Sequence, residues 1–247
     1  MDILAELNPA QREAVETING PVLILAGPGS GKTRVITHRV AYLITVCGVN
    51  PHRIMAVTFT NKAARAMEER LYHLVSGSAG DLTLGTFHAI CARILRQNGK
   101  AIGVDPRFVI YDDEDHLSLI KRGIQEVGLD PKQYAPRAIA SAISAAKSRM
   151  LNPQDYVQHS RSYFDEVVQR VYERYQELLT GSNALDFDDL LMKAVQLFRS
   201  SPEVLSRYQS RYLHIQVDEF QDTNLTQYEL AKQLSGKYRN ICVVGDP

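Results

Sequence analysis

The apolar run Pro21-Val22-Leu23-Ile24-Leu25 passes directly into Ala26-Gly27-Pro28-Gly29-Ser30-Gly31-Lys32-Thr33. A strand, a glycine-rich turn and a helix starting at Lys-Thr form a βα unit, which draws the surrounding chain toward an α/β architecture. Glycines let the turn curl until backbone N–H groups point inward at phosphate oxygens, and the helix N-terminus adds partial positive charge. Lys32 is expected to reach the β/γ-phosphates of a nucleoside triphosphate, with the Thr33 hydroxyl on Mg²⁺. A strict phosphate loop has glycine where Ala26 stands. An ordinary glycine-rich βα turn would explain the glycines but not Lys-Thr at this register.

The flanking sequence repeats the strand–helix rhythm. Asn8-Pro9-Ala10-Gln11 carries a cap, a first-turn proline and a capping-box glutamine, and so opens a helix. A second helix, from Lys32 to about Val46, lines up Val35, Ile36, Val40, Leu43 and Ile44. Arg53–Phe59 reads as a strand, Asn61 caps a helix to about Val75, and Leu82–Thr86 is a strand before a helix through Arg96. This pattern predicts a parallel sheet with helices on both faces. From about Asp112 to Thr180 the pattern is helical, with breaks at 128–136 and 151–153. Helix Asp186–Phe198, strand His214–Val217, helix Asn224–Leu234 and strand Ile241–Val244 then resume the alternation. The expected organisation is an α/β domain over 1–110 and 185–247, interrupted by an all-helical subdomain over 111–184. The end at Gly245-Asp246-Pro247, just past a core strand, suggests a piece of a longer protein.

Composition narrows the class. Across 247 residues, 45% are hydrophobic and 23% charged, as in a water-soluble globular protein. No apolar run approaches a membrane span, and the acidic N-terminus lacks the marks of a signal peptide. Cys47, Cys91 and Cys242 are odd in number without ligand spacing, which favours a reducing, cytoplasmic setting over a disulfide scaffold. Formal net charge is zero, so any nucleic-acid surface must be local. The acid-free stretch bearing Lys132, Arg137, Lys147 and Arg149 reads as a solvated helix face.

A second candidate element lies far downstream. Ile215-Gln216-Val217-Asp218-Glu219-Phe220-Gln221-Asp222 is an apolar strand ending in adjacent acids. Ligands of open α/β sheets bind at the carboxyl ends of strands, which would bring these acids beside the phosphate loop. Asp218 would hold Mg²⁺, and Glu219 would orient and deprotonate an attacking water.

Asp218-Glu219-Phe220-Gln221-Asp222 resembles the D-E-x-Q-D box of superfamily 1 DNA helicases of the UvrD/Rep/PcrA type. Ala26 fits that resemblance, because the family's loop commonly reads A-G-x-G-S-G-K-T. Leu7-Asn8-Pro9-Ala10-Gln11 resembles its glutamine motif, and Thr58-Phe59-Thr60-Asn61-Lys62-Ala63-Ala64 its T-F-T-N-K-A-A segment. Gly85-Thr86-Phe87-His88, Asp186-Phe187-Asp188-Asp189-Leu190 and Val244-Gly245-Asp246-Pro247 resemble further motifs in the same order.

The resemblance implies a RecA-like P-loop NTPase domain with a helical insertion, from an ATP-driven 3′–5′ helicase. It implies ATP at Gln11, Ala26, Gly27, Pro28, Gly29, Ser30, Gly31, Lys32, Thr33 and Arg34, with Mg²⁺ at Thr33 and Asp218. Catalytic roles fall on Lys32, Asp218, Glu219 and Gln221, the last sensing the γ-phosphate. Single-stranded DNA would meet Thr58, Phe59, Asn61, Lys62, Thr86, Phe87, His88 and Phe187, with exposed rings stacking on bases. Phe59 and Phe87 could equally be core residues. The expected partner is a single-strand/duplex junction, and the chain alone is expected to be a monomer that does not unwind DNA. The alternatives are a helicase subunit of a recombination nuclease complex and a nucleotide-regulated DNA-binding switch without motor activity.

Overall fold

The structure, a computed structural model, describes residues 3–75, 80–157 and 162–247. The chain begins α1 (Pro9–Glu16), β1 (Val22–Leu25), α2 (Lys32–Thr45), β2 (Ile54–Thr58), α3 (Asn61–Leu74), β3 (Thr83–Thr86), α4 (Phe87–Asn98). It continues β4 (Val109–Ile110), α5 (Asp113–Glu126), α6 (Pro136–Ser148), α7 (Pro153–Val157), α8 (Tyr163–Gly181), β5 (Ala184–Leu185), α9 (Phe187–Ser200). It closes with α10 (Pro202–Arg211), β6 (His214–Val217), α11 (Leu225–Ser235) and β7 (Ile241–Gly245). Two compact units result: 1–90 with 201–223 and 228–247, and 91–200 with 224–227. The second unit is wider than the helical stretch expected over 111–184.

The first unit is the expected parallel sheet, with strands in the order β1-β7-β6-β2-β3 and helices on both sides. Every residue of β2 and β6 is buried, as expected of central strands covered on both faces. On one face, Ile36, Val40 and Leu43 of α2 and Met67 and Leu71 of α3 pack over Ala56, Cys242 and Val244. β1 is an edge strand, and its Leu23 and Leu25 are exposed. Asn8 makes the predicted capping box with Gln11, accepting the Gln11 N–H at 2.9 Å. The cap of α3 is Thr60, whose hydroxyl takes the Ala63 N–H, one residue before the Asn61 expected from sequence. Arg39, buried in α2, donates to the Ala14 carbonyl at 2.6 Å and ties α1 to α2.

The second unit is helical apart from a two-residue parallel pairing of β4 with β5. Its core joins Ile120 and Ile124 of α5, Ile139 and Ile143 of α6, and Val168, Val171, Tyr172, Tyr175 and Leu179 of α8. Ser162 caps α8 and Asp112 caps α5, each through a capping box with an aspartate at the third helical position. Lys147 corrects the solvated-face reading. It is fully buried, because α6 turns it toward Asp186 and Asp189 at the start of α9. Among the described residues, no helix is long and apolar enough to cross a membrane.

Candidate active site

The turn after β1 uses glycine where the backbone demands it. Gly29 and Gly31 take positive φ, 77° and 88°, and Gly31 is the left-handed residue that starts α2. Its Cα faces Gln11: a Cβ there would stand 3.0 Å from Gln11 Nε2. That same amide donates to the Ser30 carbonyl at 2.9 Å, so α1 pins the loop.

β7 lies between β1 and β6, and its C-terminal end gathers the polar groups. The Thr33 hydroxyl lies 3.4 Å from Asp218 Oδ2. Lys32 Nζ pairs with the Asp246 carboxylate, which holds the ammonium above its ordinary range. Gln221 Nε2 donates to Glu219 Oε2 at 2.9 Å, while its Oε1 accepts the Asp246 N–H at 3.1 Å. Gly245 permits this contact, since a Cβ there would sit 2.6 Å from Gln221 Oε1. Arg34 pairs with Glu6.

Two successive acids on a strand point to opposite faces. Glu219 escapes that alternation by adopting a left-handed backbone, φ 51° and ψ 46°. Asp218 meets Thr33, and Glu219 lines an open cleft of about 810 Å³ together with Lys32, Thr33, Arg34 and Asp246. That volume lies within the range of small-molecule sites. His38 and Arg70 also line it. Sequence reasoning missed His38, Arg70 and Asp246 as wall residues, and of these Asp246 is the one that pairs with Lys32. Its signal was available: an acid at the end of a strand next to β1.

Burial, and then the neighbouring Glu219 charge, raise the Asp218 carboxyl above its ordinary value. A divalent cation would relieve that load. Thr33 and Asp218 present hard oxygens, and Mg²⁺ commonly takes only one or two carboxylates, filling its shell with water and phosphate oxygens. The donor set fits that ion. The arrangement can hold a polyphosphate on backbone N–H groups and Lys32, with a carboxylate base beside it.

The residues expected to meet nucleic acid divide by exposure. Phe59, Asn61 and Lys62 are exposed in the first unit, and Phe187 is exposed in the second. Thr58 and Thr86 are buried; Thr58 Oγ1 donates to the Thr60 carbonyl at 3.1 Å, and Thr86 Oγ1 accepts the Ala89 N–H at 3.2 Å. Phe87 is only 7% exposed. Its ring packs in the core, which corrects the expectation that it stacks on a base. His88 is half-buried, and burial lowers its pKa.

The UvrD/REP helicase N-terminal domain family matches residues 7–247. The chain is 49% identical over 244 residues to the ATP-dependent DNA helicase PcrA of Bacillus subtilis, covering 99% of this chain and 33% of that protein. It is 46% identical over the same length to the Staphylococcus aureus protein of that name. The Staphylococcus epidermidis protein is 45% identical, with 34% of its length covered. The chain thus spans about a third of the length of the curated relatives it matches.

Proposed function

Because the chain belongs to the UvrD/REP helicase family, matching its N-terminal domain, we propose that it is the ATP-binding lobe of an ATP-dependent DNA helicase. The longer protein translocates 3′ to 5′ on single-stranded DNA and engages the single-strand/duplex junction. The observation that carries the reading is the convergence of Lys32, Thr33 and Glu219, from two distant stretches of sequence, on one cleft, with Asp218 directly behind Thr33.

In this reading the backbone of residues 26–31 cradles the β-phosphate, and Lys32 leaves Asp246 for the β/γ-phosphate oxygens. Gln11, held at the loop by its bond to Ser30, reads the adenine edge. Arg34 stands at the nucleotide. Mg²⁺, when bound at Thr33 and Asp218, supplies charge neutralisation to the phosphates. Glu219 accepts a proton from the attacking water. Gln221, bridging Glu219 and Asp246, senses the γ-phosphate. Phe59 and Phe187 offer ring faces to bases, and Asn61 and Lys62 contact phosphates. The chain on its own binds ATP, hydrolyses it slowly and does not unwind duplex. An arginine finger from the remainder of the longer protein would raise the rate by about 10³–10⁵.

The test is Glu219→Gln in the full-length protein. Hydrolysis stimulated by single-stranded DNA should fall about 10²–10⁴-fold while mant-ATP binding is retained. Wild-type turnover would remove Glu219 from the chemistry. Absence of stimulation by single-stranded DNA in the wild-type protein would favour a switch over a motor.

A further inference from the structure

Asp186, Asp188 and Asp189 surround Phe187 in the sequence, and each is fastened by a neighbouring side chain. Lys147 of α6 is completely buried, with Nζ 2.7 Å from Asp186 Oδ2 and 2.8 Å from Asp189 Oδ1. Tyr175 donates its hydroxyl to Asp186 Oδ2 at 2.7 Å, and the Asp189 N–H donates to Asp186 Oδ1 at 2.7 Å. Gln176 Nε2 donates to Asp189 Oδ2 at 3.1 Å. One turn before Lys147, Ser144 donates its hydroxyl to Asp188 Oδ2 at 2.7 Å. The Phe187 ring between these anchored acids is 43% exposed and borders a cleft of about 410 Å³.

We propose that Lys147 and Ser144 are positioning residues for nucleic acid: they lock the first turn of α9 so that Phe187 presents its ring to a base. The proposal rests on the reading that this lobe binds single-stranded DNA. Its physical basis is an imbalance between what such a network contributes to stability and what it does to geometry. A buried ion pair is often replaceable by apolar isosteres without loss of stability, so its cost in desolvation is poor value as a simple fastening. It does fix direction, because the two carboxylates are held from several sides at once: Asp186 by Lys147, Tyr175 and the Asp189 N–H, and Asp189 by Lys147 and Gln176. Helix first turns also lack intrahelical partners for their N–H groups, and Asp186 supplies one to Asp189. The anchored stretch is thereby the part of α9 that would otherwise fray, and Phe187 is its first residue.

The experiment uses the 247-residue chain and a fluorescein-labelled oligo-dT, read by anisotropy, with mant-ATP binding as the control. Lys147→Met alone would strand two buried carboxylates and risks unfolding the unit, so Lys147 is changed with Asp186→Asn and Asp189→Asn as a set. Ser144→Ala is the milder second variant. Phe187→Ala should weaken oligonucleotide binding about tenfold, the usual worth of one stacked base. Ser144→Ala and the triple variant should each weaken it at least about threefold when Phe187 is present, and by almost nothing when combined with Phe187→Ala. Mant-ATP affinity should not change in any of them. Equal losses with and without Phe187, or no loss with it, would overturn the positioning role alone. An unaffected Phe187→Ala would overturn both the platform and its positioning, and no binding by the wild-type chain would overturn the underlying DNA reading.

Discussion

Replacing Gly245 with alanine isolates the contact between the ends of β6 and β7. Gly245 has no positive φ, so alanine brings no backbone strain of its own. The cost arises entirely from the new Cβ, 2.6 Å from Gln221 Oε1 and 3.3 Å from the Gln221 N. The amide must retreat by roughly 1 Å to reach ordinary contact. In doing so it gives up the Asp246 N–H at 3.1 Å and its hold on Glu219 Oε2 at 2.9 Å. Gln221 is exposed, so water replaces the lost partners and each bond costs only about 0.5–1.5 kcal/mol. A net loss of about 1–2 kcal/mol should lower Tm by about 2–8 °C. Freeing Glu219 should lower kcat of the full-length protein about tenfold, with KM for ATP within about threefold because the phosphate loop is untouched. Phosphate release with saturating single-stranded DNA measures the first, and differential scanning fluorimetry the second. The companion Gln221→Ala removes the same contacts without a clash, and adding Gly245→Ala to it should cost almost nothing more. Wild-type kcat in Gly245→Ala, or full additivity with Gln221→Ala, would refute the reasoning.

Lys32→Ala should weaken mant-ATP binding to this chain about 10–100-fold, the worth of a charge-assisted contact, and an unchanged Kd would refute its role. Burial, reinforced by the Asp186 and Asp189 charges, raises the Asp188 carboxyl to about 6 from 3.8. The folded state therefore holds this proton more tightly than the unfolded one, so this group's contribution to stability declines as pH rises from about 4 to 6 and stays lost above. Wild-type stability relative to Asp188→Asn should be about 1–3 kcal/mol greater at about pH 4.5 than at about pH 7 by urea denaturation. A gap that does not change with pH would refute it. Glu219→Gly should abolish most hydrolysis without lowering Tm, because glycine accepts the left-handed backbone that glutamate adopts at a cost of about 1 kcal/mol. A clear drop in Tm would show that the Glu219 side chain stabilises more than its backbone strains.

The periodic parts of the fold were legible because local chemistry and burial agree there. The Asn8–Gln11 box, the α2 stripe and the fully buried β2 each report a single environment, and their boundaries fall within about two residues of expectation. α10 escaped because Pro202–Arg211 buries only Val204 and Tyr208, too few residues to write a stripe. Lys147 was misread for a different reason. Two buried acids, a half-buried third and one buried lysine look, in one dimension, like two solvated segments 39 residues apart. Only the packing of α6 against α9 reveals that the charges neutralise one another. Phe87 and Phe59 follow similar strand ends yet meet opposite fates, 7% and 46% exposed. Phe87 is the first residue of α4, directly after β3, while Phe59 lies in the two-residue link that Thr60 closes as a cap.

The site itself shows where strand logic stops being a guide. Strict alternation would send Asp218 and Glu219 to opposite sides of the sheet, and a reader of the sequence can only assume that both serve one ligand. The structure resolves this with one left-handed residue, which costs free energy wherever glycine is absent. Glycine would remove that cost but also remove the carboxylate. The neighbouring strand solves the converse problem: Gly245 gives up a side chain so that the Gln221 amide can reach both Glu219 and the Asp246 backbone. Strain at 219 and vacancy of a side chain at 245 are thus two halves of one arrangement. Their coupling through Gln221 gives a shift at the end of β7 a direct route to the candidate base.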